Sequence, residues 1–362
     1  MNYNTIRKKT KEIKIGGITV GGDNPVAVQS MLNTKGSDKP ACIAQCKALE
    51  EAGCEIIRMS VPDTECVPTF YAIKSAGIKV PLVADIHFDY RLAIESAAAG
   101  ADKIRINPGN IGGEENVKKL VAACKKYSTP IRIGVNGGSR KKEILAKYGS
   151  PTPEALYESA MEHVRLLEKY DFDDIVISVK SSSAADMISA CRLLSGACDY
   201  PLHIGVTEAG FGNDALIKAS AGLGTLLMLG IGDTVRVSLT DDPVKEVVAA
   251  KKILGTLGVR EFGGIEIVSC PTCGRTRIDI INISRALSER FSATETRGKK
   301  IKVAVMGCVV NGPGEAREAD IGIAGGDGCA VLISRGQTIR RITEDEIIPV
   351  LESEVQKLIS EK

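Results

Sequence analysis

The chain has 362 residues, 44% of them hydrophobic and 25% charged, with 47 Lys and Arg against 45 Asp and Glu. That length suits a barrel of about 250 residues plus a smaller unit better than one core. Balanced charge excludes a polybasic nucleic-acid or membrane-surface protein, so any anion site must come from local clustering.

The opening stretch, Met1 to Lys9, is polar, and no apolar run is long enough to span a bilayer. With eleven cysteines this predicts reduced thiols in a cytoplasmic protein rather than a disulfide framework. Cys42, Cys46, Cys54, Cys124, Cys191 and Cys198 lie in apolar contexts and read as packing residues. Trp is absent, which argues against platforms for stacking bases, and no nucleic-acid partner is expected.

The stretch 12–22 predicts a hairpin that plugs the base of a barrel. Eight short apolar runs follow, 26–30, 56–60, 82–87, 103–107, 131–136, 175–180, 202–208 and 234–238, separated by segments of helical periodicity. Eight β-α units predict an α/β fold with an N-terminal (β/α)8 TIM barrel over residues 1–260. Two runs look like copies, Pro130 to Asn136 and Pro201 to Thr207. The last barrel helix is expected from Asp242 to Leu257, with a junction over 258–264. A smaller C-terminal α+β domain, 261–362, follows and closes with an amphipathic helix from Glu344 to Ser360.

Alternation along the strands puts Arg58 with Ser60, Asp85 with His87, Arg105 with Asn107, Arg132 with Asn136, Ser178 with Lys180, and Arg236 with Ser238. Arg58, Arg105, Arg132, Lys180 and Arg236 are read as strand-end residues around the barrel mouth, where this fold carries its sites. Five cations gathered there repel unless a polyanion sits among them, and guanidinium forks suit a diphosphate. The bland alternative pairs each with a nearby carboxylate. Asp85 and Glu208 are the acids of this face; Glu208 either handles a substrate hydroxyl or proton or forms a salt bridge. His87 suits a phosphate, whereas His203 and His163 read as structural.

Cys270-Pro271-Thr272-Cys273 and Cys308, with Glu315 seven positions further on, form a second constellation. A closed zinc site wants four ligands, yet no second Cys-x-x-Cys pair and no histidine lie in this domain. A redox dithiol leaves Cys308 unused. An iron–sulfur cluster on three thiolates with a weaker fourth ligand uses all the pieces, Glu315 ranking ahead of Cys329 for that place.

The segments Val268 to Arg275 and Met306 to Ala316 closely resemble the signatures of the 4-hydroxy-3-methylbut-2-enyl diphosphate synthase family. The resemblance extends to Gln29-Ser30-Met31, Ala84 to Phe88, Arg105 to Asn110 and Thr207 to Gly210. It implies the two-domain bacterial form of a cytoplasmic isoprenoid-pathway oxidoreductase. It implies a [4Fe–4S] cluster held by Cys270, Cys273 and Cys308, with Glu315 as a replaceable fourth ligand. It also implies binding of 2-C-methyl-D-erythritol 2,4-cyclodiphosphate by residues matching Arg58, His87, Arg105, Arg132, Asn136, Lys180, Arg236 and Ser238, with Asp85, Thr207 and Glu208 lining the pocket. Ferredoxin or flavodoxin is the implied electron donor. A head-to-tail homodimer is implied, because the last barrel helix ends at the face opposite the mouth.

Overall fold

The computed structural model describes residues 6–136, 147–150, 152–292 and 294–361. It divides into two compact units, Met1–Arg260 and Glu261–Lys362.

The first unit opens with an antiparallel hairpin of β1 (Ile13–Ile15) and β2 (Ile18–Val20). The barrel strands are β3 (Ala27–Met31), β4 (Ile56–Ser60), β5 (Leu82–Asp85), β6 (Lys103–Ile106), β7 (Ile131–Asn136), β8 (Ile175–Lys180), β9 (His203–Ile204) and β10 (Thr234–Val235). They form one eight-stranded sheet in the order β8-β7-β6-β5-β4-β3-β10-β9. A parallel bridge from Ile177 to Leu202, just ahead of β9, brings the two edges together. Strand pairs within the sheet are parallel, as crossover helices require.

Those helices are α1 (Lys39–Glu51), α2 (Pro68–Ser75), α3 (Tyr90–Ala98), α4 (Glu114–Tyr127), α5 (Pro153–Glu168), α6 (Ala184–Ala197), α7 (Gly212–Met228) and α8 (Pro243–Thr256). Several start where a side chain satisfies an orphan amide and Pro occupies the first turn. In α8 the Asp242 carboxylate accepts from the Val244 amide at 2.9 Å ahead of Pro243; Thr152 and Pro153 do the same for α5.

The hairpin does plug the base. Ile13, Ile15 and Val20 pack with Ala27, Ile56, Val83 and Val176, the lowest inward side chains of four strands. Burying each such side chain stabilises by roughly 1.5–3 kcal/mol, so the base of the barrel interior is sealed by apolar packing.

The second unit carries β11 (Gly264–Ser269), β12 (Lys300–Met306), β13 (Ile321–Gly326), β14 (Cys329–Ser334) and β15 (Gln337–Thr343) in sequential order. The first three strands are parallel and the last two antiparallel. Helices α9 (Ile280–Phe291) and α11 (Ile347–Ser360) pack Leu287, Phe291, Leu351 and Val355 against Val303, Val305 and Ile323. The other sheet face is lined by small residues, Ala304, Ala316, Ala319 and Ala324, beside a single helical turn, α10 (Gly312–Glu315).

Candidate functional site

The barrel interior is built in layers above the plug. Inward positions recur every second residue, so β6 contributes Lys103 and Arg105, followed by Asn107. β7 contributes Arg132, Gly134 and Asn136, and β8 contributes Val176, Ser178 and Lys180. Asn136 and Lys180 are register partners, as are Arg105 and Arg132.

Asp85, at the end of β5, is the hub. It is 1% exposed, its Oδ1 accepts from Arg105 Nη1 at 3.0 Å, and its Oδ2 lies 3.5 Å from Arg58 Nε and 3.6 Å from His87 Nε2. Burial pushes its pKa up, but Arg58, Arg105 and Arg132 outweigh burial and hold the carboxyl well below the usual carboxylate range. His87 and the adjacent Phe88 stand half or more exposed at the rim.

Arg58 also donates from Nε and Nη2 to Met31 Sδ, at 3.1 and 2.8 Å, and burial lowers its guanidinium to about 10, still charged at neutral pH. Arg132 is fully buried. One nitrogen reaches Gln29 Oε1 at 3.4 Å, while Nε and Nη2 have no hydrogen-bond partner among the described residues. Burial and the neighbouring Arg58 and Arg105 pull its pKa well down. Lys180 sits among Arg58, Arg132, Arg236 and Arg105, and forms no ion pair among the described residues.

Two expectations need correction. The cations do not all end strands: Arg58 is the third of five residues in β4, and Arg132 is the second residue of β7, four positions below Asn136, and so lies deep. Nor do all five lack counter-charge. Asp85 serves Arg58 and Arg105, and Glu246 on α8 binds Arg236 at 3.0 Å. The bland pairing therefore holds for three, and Arg132 and Lys180 remain without a carboxylate among the described residues.

The structure adds Lys103, which sequence reasoning passed over. It is fully buried, and its Nζ has no hydrogen-bond partner among the described residues. Burial, then Arg132 and Arg58, lower its pKa far below the lysine norm. Its signal was its place two residues before Arg105. Gly134 matters for a complementary reason: a Cβ there would lie 2.3 Å from Arg105 Nε. Its counterpart in the copied strand, Gly205, would place a Cβ 2.6 Å from the Arg236 carbonyl oxygen. The shared glycine makes room for an arginine side chain in the first copy and for a backbone carbonyl in the second.

Thr207 follows β9, its amide donating to the Ser181 carbonyl at 3.2 Å. Glu208 is exposed and holds φ +52°, a left-handed conformation costly for any residue with a Cβ, and forms no ion pair among the described residues. Ser238 lies half-buried just beyond β10. A separate cleft of about 500 Å³ opens at the other end, lined by Gly16, Ala101 and Tyr127. Its Asp102 already binds Lys74 at 2.7 Å and the Leu82 amide at 2.8 Å.

In the second unit Cys270 directly follows β11, and Cys308 lies two residues beyond β12, its parallel neighbour. Both thiols thus sit at the carboxyl ends of adjacent parallel strands, a recurrent ligand position in open α/β sheets. The Gly307 amide donates to Cys270 Sγ at 3.2 Å. The backbone amides of Asn311, Val310 and Gly312 lower the Cys308 pKa against burial and the nearby Cys273. The Arg275 amide lowers that of Cys273, which is exposed. Amide donors favour thiolates, the form that binds metal. By contrast burial pushes Cys46, Cys54, Cys124 and Cys191 up to about 12, as inert packing thiols require. Glu315 closes α10, exposed. Among the described residues no three His, Cys, Asp or Glu side chains surround one point closely enough to hold a single metal ion.

Residues 10–251 match the GcpE TIM-barrel domain and residues 266–357 the GcpE protein C-terminal domain. The chain belongs to the GcpE family. It is 55% identical over 357 residues to a protein of Caldanaerobacter subterraneus subsp. tengcongensis, covering 99% of both chains. It is also 55% identical over 348 residues to one of Clostridium perfringens, covering 95% of this chain and 97% of the other. Both relatives are named 4-hydroxy-3-methylbut-2-en-1-yl diphosphate synthase (flavodoxin). Among solved structures, a dihydropteroate synthase from Thermus thermophilus is similar, with a TM-score of 0.52 and 16% identity, over 68% of this chain and 97% of that one. That likeness concerns the barrel fold alone. Among the described residues no helix is long and apolar enough to cross a membrane.

Proposed function

We propose that this chain is a 4-hydroxy-3-methylbut-2-enyl diphosphate synthase of isoprenoid biosynthesis. It takes 2-C-methyl-D-erythritol 2,4-cyclodiphosphate, two electrons and two protons to the open-chain allylic diphosphate and water. The observation that carries this reading is a cluster, among the described residues, of six basic side chains with the two carboxylates Asp85 and Glu246, within a chain 55% identical over nearly its whole length to enzymes of that name.

In this reading Arg58, Arg105, Arg132, Lys180 and Arg236 receive the diphosphate, and the nitrogens of Arg132 that have no partner among the described residues are ready donors to its oxygens. Asp85 bridges Arg58 and Arg105 and so offsets their repulsion and aims them. His87, Asn136, Thr207 and Ser238 supply hydrogen bonds at the rim. Glu208, held in its costly backbone conformation at the same rim, orients a substrate hydroxyl and relays a proton as that oxygen departs as water.

Cys270, Cys273 and Cys308 fit an iron–sulfur cluster because amides lower two of the thiols and one contacts the third. A multi-iron group distributes its ligands over several metal atoms and does not need them around one point. Glu315 is the fourth ligand in this reading. When bound, a [4Fe–4S] cluster supplies electrons one at a time, received from flavodoxin, the donor in the relatives' names; ferredoxin is the alternative donor.

Two copies paired head to tail would bring each cluster unit to the other's barrel. The support is that the first unit's chain ends at the sealed base, where Arg260 donates to the Val26 carbonyl at 2.9 Å, while the cations gather toward the mouth. Anaerobic assay of iron-loaded protein with the cyclodiphosphate and reduced flavodoxin tests the activity; no allylic product refutes it. Mixing inactive Arg132→Ala and Cys308→Ser chains tests the pairing, since regained turnover needs a shared site.

A further inference from the structure

We propose that Glu246 is a positioning residue of the diphosphate site, acting through Arg236 and the segment that carries Ser238. For the identity of the ligand this rests on the function proposed above; the network itself does not depend on it. Glu246 lies in the first turn of α8, 3% exposed. Its Oε2 accepts from Ser30 Oγ at 2.8 Å and Arg236 Nε at 3.1 Å. Its Oε1 accepts from Arg236 Nη2 at 3.0 Å and the Leu239 amide at 3.1 Å. Four donors from three residues on two segments meet on one carboxylate.

The consequence is directional. A guanidinium offers two forked edges, and Glu246 occupies the Nε–Nη2 edge of Arg236 bidentately. Nη1 is left with Met31 Sδ at 3.7 Å, a weak acceptor. Arg236 can therefore meet a phosphate only with its outer edge. Arg236 also helps depress the Arg58 pKa, so two guanidiniums are held close against their repulsion. The Leu239 amide is one peptide beyond Ser238, so the same carboxylate anchors the loop between β10 and α8. Ser30 extends the network to β3, across the seam where Thr234 pairs with Ala27. An acid in a helical first turn normally only complements the helix dipole from the surface; this one is turned inward and saturated with donors.

The test is a double-mutant cycle on the full chain, with inorganic pyrophosphate as the titrant in calorimetry and thermal melting run alongside. Pyrophosphate needs neither cluster nor turnover, so its result is independent of whether the reductive reaction is observed. Glu246→Ala is expected to weaken pyrophosphate about tenfold in the parent and less than about twofold in Arg236→Ala, because the two residues act as one unit. Glu246→Gln keeps the volume and serves in the same cycle if the alanine variant does not fold. Equal losses in both backgrounds, a lower melting temperature with unchanged affinity, or a parent chain that ignores pyrophosphate each overturn the proposal.

Discussion

Lys103→Met should make the protein more stable and worse at its task. The lysine is fully buried, its Nζ has no hydrogen-bond partner among the described residues, and the groups that bear on it are Arg132 from β7 and Arg58 from β4. His203 from β9, itself pushed down by burial and these cations, offers no counter-charge. Replacing an uncompensated buried ion with an apolar chain of similar volume stabilises by about 1–4 kcal/mol. For a unit of this size that corresponds to a melting rise of roughly 2–16 °C. The sign of the pH dependence follows from the lowered pKa. Between the folded pKa and about 10.4 the unfolded chain binds a proton that the folded one does not, so parent stability rises with pH. The variant lacks this slope, and its advantage shrinks as pH approaches 10. The assay is thermal unfolding without added anion across that range, with pyrophosphate titration at neutral pH. Affinity should fall while stability rises, as expected where a strained site serves binding. A variant that melts below the parent refutes the reasoning.

Asp85→Asn removes the hub between Arg58 and Arg105 and should cost about 3–5 kcal/mol, partly restored by pyrophosphate as substitute counter-charge. Because the native Asp85 pKa is depressed, its contribution is present above about pH 4 and lost as pH falls below; acid unfolding of the variant should lack that slope, and a midpoint within about 2 °C of the parent at pH 7 contradicts the role. Glu208→Gly relieves a left-handed backbone worth about 1 kcal/mol, so melting should hold or rise slightly while turnover falls about a hundredfold; retained turnover removes Glu208 from proton handling. Glu315→Ala should keep iron content and visible absorbance but lose most turnover, whereas Cys308→Ser should lose iron; equal iron loss in both would make Glu315 a holding ligand only.

The barrel was legible because its signals are local. Eight apolar runs with polar ends and helical spacers carry their own period, and the alternation that put Arg105 with Asn107 also encodes Lys103. Lys103 escaped notice because a lysine at the start of a strand reads as a solvated end. Only closure of the barrel over the plug of Ile13, Ile15 and Val20 makes that position interior. Arg132 was misplaced for the same reason: the apolar run shows that it faces inward, but depth depends on the stagger between strands, which pairs Arg132 with Arg105 rather than with the mouth. Glu246 is not legible in the sequence because its partners come from β3 and from just beyond β10, and only the pairing of those two strands brings Ser30 and Arg236 to one carboxylate.

Lys103, Arg132 and Glu246 share a physical pattern: the role of each is set by contacts between strands. The mouth alone suggested five equivalent cations awaiting an anion. The three-dimensional arrangement instead grades them. Arg58, Arg105 and Arg236 are each tied by a carboxylate and therefore aimed, while Arg132, Lys103 and Lys180 have no carboxylate partner among the described residues. Aimed arginines give orientation at little cost in repulsion, since Asp85 and Glu246 neutralise part of their charge before a ligand arrives. Uncompensated cations store the attraction, because burial makes each unfavourable until an anion enters. A diphosphate drawn by the second set and oriented by the first is held in a fixed pose, which is what a reaction that opens the ring and expels a hydroxyl at two neighbouring carbons requires.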